Sequence, residues 1–240
     1  MNWKPIKMSK LAMASTAILI LSAQIVSAQD FTVHMKDEDG KSIATRYVTR
    51  NAVRNVATFP AETDMIYRLD KGTIITVDNK KRTYSEATLA EIKQMAAQRE
   101  SAMTPQEKML MQRMGNGSAT VTKIGAGETI AGYATEKYAV KSPTYQGEIW
   151  VAPSLDPPPG YYDMVSAFTS SVSGGMGLVI KELREKQIKG YLLKSTGTIS
   201  FSPMMKGISY TETAGSIDKG SIPASTFDPP AGYQKVTRPH

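Results

Sequence analysis

Met95, Met103, Met109, Met111 and Met114 place five methionines within twenty residues, the most suggestive local feature of the chain. Flexible, polarisable thioethers can repack around apolar ligands of variable shape. The segment therefore reads as the lid of a hydrophobic site, beside a plainer reading as core filling in which Leu89, Ile92 and Leu110 share the same face. Thioethers also ligate copper(I). These five do not lie on one helical face and no histidine is near them, so no metal is expected there.

Other chemistries have little to work with. There is no cysteine among the 240 residues and there are two histidines, so thiol catalysis, cysteine-ligated zinc and multi-histidine metal sites drop out. His34 falls on the polar side of an alternating segment and His240 is terminal, and no G-x-S-x-G elbow occurs, so a Ser–His–Asp mechanism has no seat. Asp37-Glu38-Asp39-Gly40 lacks the spaced ligands of a calcium loop and reads as a turn. Gly174-Gly175-Met176-Gly177 completes no phosphate-binding pattern and reads as a hinge. Paired carboxylates need neither Cys nor His, but Glu86, Glu91, Glu182 and Glu185 fall on expected helix surfaces or ends. Trp150 with Tyr133, Tyr138, Tyr145, Tyr161 and Tyr162 could form an aromatic platform, although aromatics at alternate strand positions are more often core. No cofactor is expected.

The amino terminus bears on where such a protein works. Lys4, Lys7 and Lys10 precede an apolar stretch from Leu11 to Val26, and Val26-Ser27-Ala28 offers small residues at a signal-peptidase site. The pattern predicts a signal peptide over 1–28, cleavage before Gln29 and a periplasmic or secreted protein without a stable membrane span. Removing the leader leaves 26 basic and 22 acidic residues, so the formal charge falls from +7 to +4. Asn79-Lys80-Lys81-Arg82, the densest basic run, reads as a solvated hairpin turn, and nucleic acid is not an expected partner.

The elements that would position these residues are mostly strands. Phe31, Val33 and Met35 alternate with Thr32, His34 and Lys36. With Ile43 to Thr49, Asp64 to Leu69 and Thr73 to Val77, they predict four strands before residue 85. From Ser85 to Met114 the period changes to 3.6. Thr88-Leu89-Ala90-Glu91 and Thr104-Pro105-Gln106-Glu107 are capping boxes, which predicts two helices broken at Pro105. Strands are expected again over Ala119 to Ile124, Glu128 to Gly132, Ala134 to Lys141 and Gly147 to Val151. A helix follows from Asp163 to about Ser173, then strands at Gly190 to Ser195, Thr198 to Ser202 and Lys206 to Ala214. Asp156-Pro157-Pro158-Pro159-Gly160-Tyr161 and Asp228-Pro229-Pro230-Ala231-Gly232-Tyr233 share the pattern D-P-P-x-G-Y, read as two uses of one rigid turn.

Several of these segments carry a resemblance. Lys81 to Glu86, Thr129-Ile130-Ala131-Gly132-Tyr133 with Glu136-Lys137-Tyr138, Glu148-Ile149-Trp150-Val151-Ala152 and Phe227-Asp228-Pro229-Pro230-Ala231-Gly232-Tyr233 resemble the exported bacterial family catalogued as domain of unknown function 4412. Where that family often has a cysteine after the Gly-Tyr step, this chain has Thr135. The resemblance implies a fold like that of periplasmic lipoprotein carriers: α+β but mostly β, a curved antiparallel sheet or half-open β-barrel with helices packed on its concave face.

The expectation is one domain over 29–240, a non-enzymatic periplasmic binding protein. It would hold an acyl chain or other lipid between sheet and helices, with Leu89, Ile92, Met95, Met103, Leu110, Met111, Met114 and Trp150 as ligand contacts. The alternatives are an envelope interaction module that docks a partner protein, and a carboxylate-based hydrolase.

Overall fold

The computed structural model describes residues 30–58, 62–106, 108–109, 118–172, 175–200 and 207–237. Six strands come first: β1 (Phe31–Lys36), β2 (Ser42–Val48), β3 (Ala52–Ala57), β4 (Thr63–Arg68), β5 (Thr73–Asp78) and β6 (Thr83–Thr88). Helix α1 (Leu89–Ala102) follows, then β7 (Thr120–Ala126), β8 (Glu136–Lys141) and β9 (Tyr145–Ala152). Helices α2 (Tyr161–Val172) and α3 (Gly175–Glu185) precede β10 (Tyr191–Ile199), β11 (Ile208–Lys219) and the short β12 (Gln234–Lys235). All join one 12-stranded sheet in the order β12-β6-β5-β4-β3-β2-β1-β11-β10-β9-β8-β7. Every pairing is antiparallel except β12 on β6. The sheet is curved and does not close, which is the expected mostly-β α+β class.

Its centre joins the two ends of the chain, since β1 pairs β2 on one side and β11 on the other. On the inner face Phe31, Val33, Met35, Val48, Val53, Tyr67, Ile74 and Ala87 form one apolar cluster with Ile92 of α1 and Met164 of α2. Further along, Val121, Tyr138, Val140 and Ile149 pack against Val179 and Leu183 of α3. The helices lie here because each strand alternates and the apolar side must be covered. Helix α2 is tied to α3 by the Asp163–Arg184 pair and by the Ser166 hydroxyl donating to the Gly177 carbonyl at 3.1 Å.

The outer face of β3–β5 is covered by the carboxy-terminal segment. Ile66, Ile75 and Val77 receive Phe227, with Ile222 and Tyr233 at the margin. Arg54 donates to Asp64 Oδ2 at 2.5 Å and to the Thr226 carbonyl at 2.8 Å. Asn79 donates to the other oxygen of Asp64 at 2.9 Å, while Arg68 holds the Phe227 carbonyl and Asp228. The F-x-x-P-a-G-Y stretch is thus a clamp on the back of the sheet. Its turn matches the earlier echo: in both, the Tyr amide donates back to a proline carbonyl, Tyr161 to Pro158 at 3.1 Å and Tyr233 to Pro230 at 3.2 Å. Gly160 and Gly232 both sit at φ +79, a conformation that favours glycine. One copy leads into α2 and the other into β12.

Several expected boundaries are corrected. Six strands, not four, precede α1. β3 was invisible to alternation because Ala52 and Val53 are buried on opposite faces. β6 extends to Thr88, where pairing with β5 overrides the helical period expected from Ser85, so Glu86 lies on a strand rather than a helix. The capping box itself holds: the Thr88 amide donates to Glu91 Oε2 at 2.7 Å and the Glu91 amide to Thr88 Oγ1 at 3.1 Å. Glu128 to Gly132 is no strand. Ile130 and Tyr133 bridge a two-residue turn in which Ala131 and Gly132 have φ +48 and +84. The two strands expected around Gly197 are one, because that glycine packs against a neighbour instead of turning. A Cβ on its partner Gly147 would stand 2.0 Å from the Thr196 carbonyl oxygen. Helix resumes at Gly175 and reaches Glu185, further than the glycine run suggested. The second expected helix is described only at its first turn, where the Lys108 amide donates to the Thr104 carbonyl.

Candidate functional site

One charged pair interrupts the apolar inner face. On β2, Ala44, Arg46 and Val48 pair with Met35, Val33 and Phe31 of β1, so Arg46 points with them toward the helices. On β11, Glu212 shares its side with Ala214, the partner of Met35. The two strands flank β1, about 10 Å apart at two inter-strand spacings, and only long side chains can meet above it. Arg46 Nη2 donates to Glu212 Oε2 at 2.8 Å, with the two side chains 14% and 22% exposed. Burial is the largest single influence on the Arg46 pKa and lowers it, but Glu212 together with Tyr191 and Tyr161 outweighs burial and the balance is a rise.

A ring of phenols surrounds the pair. Ser195, fully buried on β10, lies 3.1 Å from the Tyr210 hydroxyl and donates to Glu212 Oε1 at 3.2 Å. Tyr191 meets Phe31 edge-on at 5.4 Å and stacks on Tyr161 at 6.4 Å, and Tyr161 in turn meets Tyr67 edge-on at 5.6 Å. Tyr162 pins the start of α2, donating to the Gly190 carbonyl at 3.1 Å and accepting from the Leu192 amide at 3.2 Å. The Tyr191 hydroxyl is buried and no described residue meets it in hydrogen-bonding geometry, although Arg46 and Tyr161 stand beside it. Burial pushes Tyr67 up to about 12 against the lowering pull of Arg46, and it raises Tyr161, Tyr162, Tyr191 and Tyr210 as well. These are neutral hydroxyls around one fixed cation.

The residues expected to contact a ligand are distributed around this centre. Ile92 is buried and Met95 half-buried on α1 against the inner face, Leu89 is half-buried at the helix start, and Met103 is half-buried just past its end. Met109 is exposed. Leu110, Met111 and Met114 lie outside the described residues. Trp150 is buried in the same apolar cluster as Ile92, with Lys137 and Lys194 at 4.9 and 4.5 Å over its ring. The Gly127–Thr135 loop presses on it so closely that a Cβ on Gly127 would stand 2.6 Å from Trp150 Cδ1. Thr135, at the position where a cysteine is often found in the resembling family, is buried and donates to the Glu128 carbonyl at 2.6 Å.

Tyr161 and Tyr162 belong to the aromatic set read from sequence, whereas Arg46, Glu212, Tyr67, Tyr191 and Tyr210 do not. Arg46 stands at an inward position between two apolar residues, and a charge in an apolar stripe is the signal that would have found it.

The model of a Domain of unknown function (DUF4412) matches residues 30–233. The chain belongs to that family. Among solved structures, this DUF4412 chain is similar to an uncharacterised conserved protein from Thermus thermophilus, with a TM-score of 0.48 at 6% identity over 88% of this chain and 91% of that one. It is also similar to PNGF-II in a P21 crystal form, with a TM-score of 0.45 at 11% identity, over 88% of this chain and 32% of that one. No curated protein sequence matches it.

Proposed function

We propose that this DUF4412 protein is a non-enzymatic periplasmic carrier that buries an acyl chain or similar apolar ligand between the inner face of its open sheet and helix α1. The observation that supports this reading is how lightly α1 is attached. Of its described side chains only Ile92 is buried, with Leu89, Met95 and Ala96 half-buried and the rest exposed. Uncovering Ile92 costs about 1.5–3 kcal/mol, and burying an alkyl chain returns about 0.8 kcal/mol per methylene. About four methylenes therefore offset the exposure of Ile92, and a longer chain offsets the half-buried Leu89 and Met95 as well. The capping box at Thr88 keeps α1 helical as it moves and fixes the hinge end beside β6. Glu212, the carboxylate at the centre of the inner face, is drawn to Arg46 and Ser195 rather than to a second carboxylate, which favours binding over hydrolysis.

Native mass spectrometry of protein isolated from the periplasm is expected to show a co-purified acyl species, and a fluorescent fatty acid to bind the emptied protein saturably. A chain found empty in repeated preparations, with no probe binding, overturns the carrier reading. Amino-terminal sequencing of the exported form is expected to begin at Gln29. A second reading, an envelope interaction module, is favoured by Ile124 on edge strand β7 and Ile208 at the start of β11, both more than half exposed. It predicts that a partner is captured while the fluorescent probe is ignored.

A further inference from the structure

We propose that Arg46 and the Tyr191 hydroxyl form an anchor for the anionic head group of the bound amphiphile, a carboxylate or phosphate monoester, and that Glu212 occupies the guanidinium when no ligand is present. The proposal rests on the carrier reading and names the class of ligand it takes. A guanidinium presents five N–H donors, and among the described residues Arg46 commits one of them, Nη2 to Glu212 at 2.8 Å. The contact is single rather than the two-pronged fork that Arg and carboxylate prefer. A buried cation with most of its donors uncommitted is costly, and an entering anion that takes them up removes the cost.

A second observation points the same way. Tyr191 is 1% exposed, and its hydroxyl stands against the same guanidinium and against Tyr161 without a well-formed hydrogen bond to any described residue. Buried polar atoms are rarely left unpaired, and a neutral hydroxyl donor next to a cation suits an anion rather than an ammonium or a plain alcohol. Glu212 has a retreat: Ser195 donates to its other oxygen at 3.2 Å, so the carboxylate stays hydrogen-bonded if Arg46 turns to the ligand. Around the pair, Phe31, Tyr67 and Tyr161 supply the apolar wall against which the first part of a chain would lie.

The test uses the purified protein after lipid extraction and three ligands with one tail: dodecanoate, dodecyl phosphate and dodecanol. Competition against a neutral fluorescent probe reads their affinities in the unaltered protein and in Arg46→Met, Glu212→Gln and Tyr191→Phe. At least one anion is expected to bind about tenfold or more tightly than dodecanol, since charge-assisted bonds to a desolvated cation are strong; whichever anion wins identifies the head group. Arg46→Met is expected to erase the difference while dodecanol binds as before. Glu212→Gln, which removes the internal competitor, is expected to widen it. Tyr191→Phe, a change too small to endanger the fold, is expected to narrow it. Equal binding of all three ligands, unchanged by Arg46→Met and Tyr191→Phe, overturns the anchor and leaves the carrier standing. If no ligand binds, both fall.

Discussion

Arg46 and Arg54 sit on adjacent strands of one sheet and point to opposite faces, yet they are used differently. On the outer face all three nitrogens of Arg54 are engaged, with Asp64 taking Nε at 3.2 Å and Nη2 at 2.5 Å, and the Thr226 carbonyl taking Nη1 at 2.8 Å. Asp64 is likewise filled by Asn79. On the inner face Arg46 has one bond and a neighbouring hydroxyl with none. A guanidinium whose donors are consumed by its own chain is a clamp, whereas one held by a single replaceable bond is available to something else. The same residue type therefore separates the half of the molecule that holds the fold together from the half on which the proposed ligand would sit.

The largest effect that tests this contrast is on the clamp. Arg54→Ala leaves Asp64 buried and unpaired and is expected to cost about 3–5 kcal/mol, read as a lower urea midpoint together with early proteolysis after residue 220. If the midpoint barely moves, the outer pair is not a clamp. The inner pair should behave oppositely. Arg46→Met combined with Glu212→Met replaces a partly satisfied ion pair by apolar groups and is expected to be neutral or stabilising, by up to about 4 kcal/mol. A loss of stability comparable to that of Arg54→Ala would erase the distinction between the two faces.

Alkaline titration probes the inner face alone. Burial raises Tyr67 from 10.0 to about 12 in the folded state, so the unfolded chain loses that proton first. The contribution is intact below pH 10 and is lost as pH climbs to 12, on the order of 2–3 kcal/mol for this residue. The expected outcome is a cooperative loss of near-ultraviolet dichroism above pH 10, coincident with late phenolate absorbance. If all tyrosines titrate near pH 10 with the fold intact, the phenol ring is not buried as described. The smallest effect is Thr88→Ala, which removes the cap of α1 for about 1 kcal/mol. It is expected to speed amide exchange over Leu89–Met95 while the amides of β3–β5 exchange as before, which separates the proposed cover from the clamped back.

Legibility from sequence followed the range of the interactions. The Thr88–Glu91 cap and the turn at Asp37–Gly40 are closed by neighbours, so residue types at short spacing announce them. The resemblance to a curved-sheet family carried the fold class. Arg46 and Glu212 are 166 positions apart and meet only because β1 pairs both β2 and β11, which no local pattern states. On β2 alternation also misdirects: the bulky Tyr47 faces outward, where the clamp covers it, and Ala44, Arg46 and Val48 face in. On α1, Ile92 and Met95 stand three positions apart, and the helical period accounts for their burial against the inner face.

The pairing of β1 with β11, Phe31 opposite Lys219, has a consequence in time rather than in space. The central strand keeps one edge bare until almost the whole chain has been synthesised, and the clamp on β3–β5 comes later still, from residues beyond 220. Closing such long loops is slow. A nascent chain of this kind therefore stays unsealed until β11 and the clamp have both been made, and truncation after Lys219 would leave a paired seam with an exposed back.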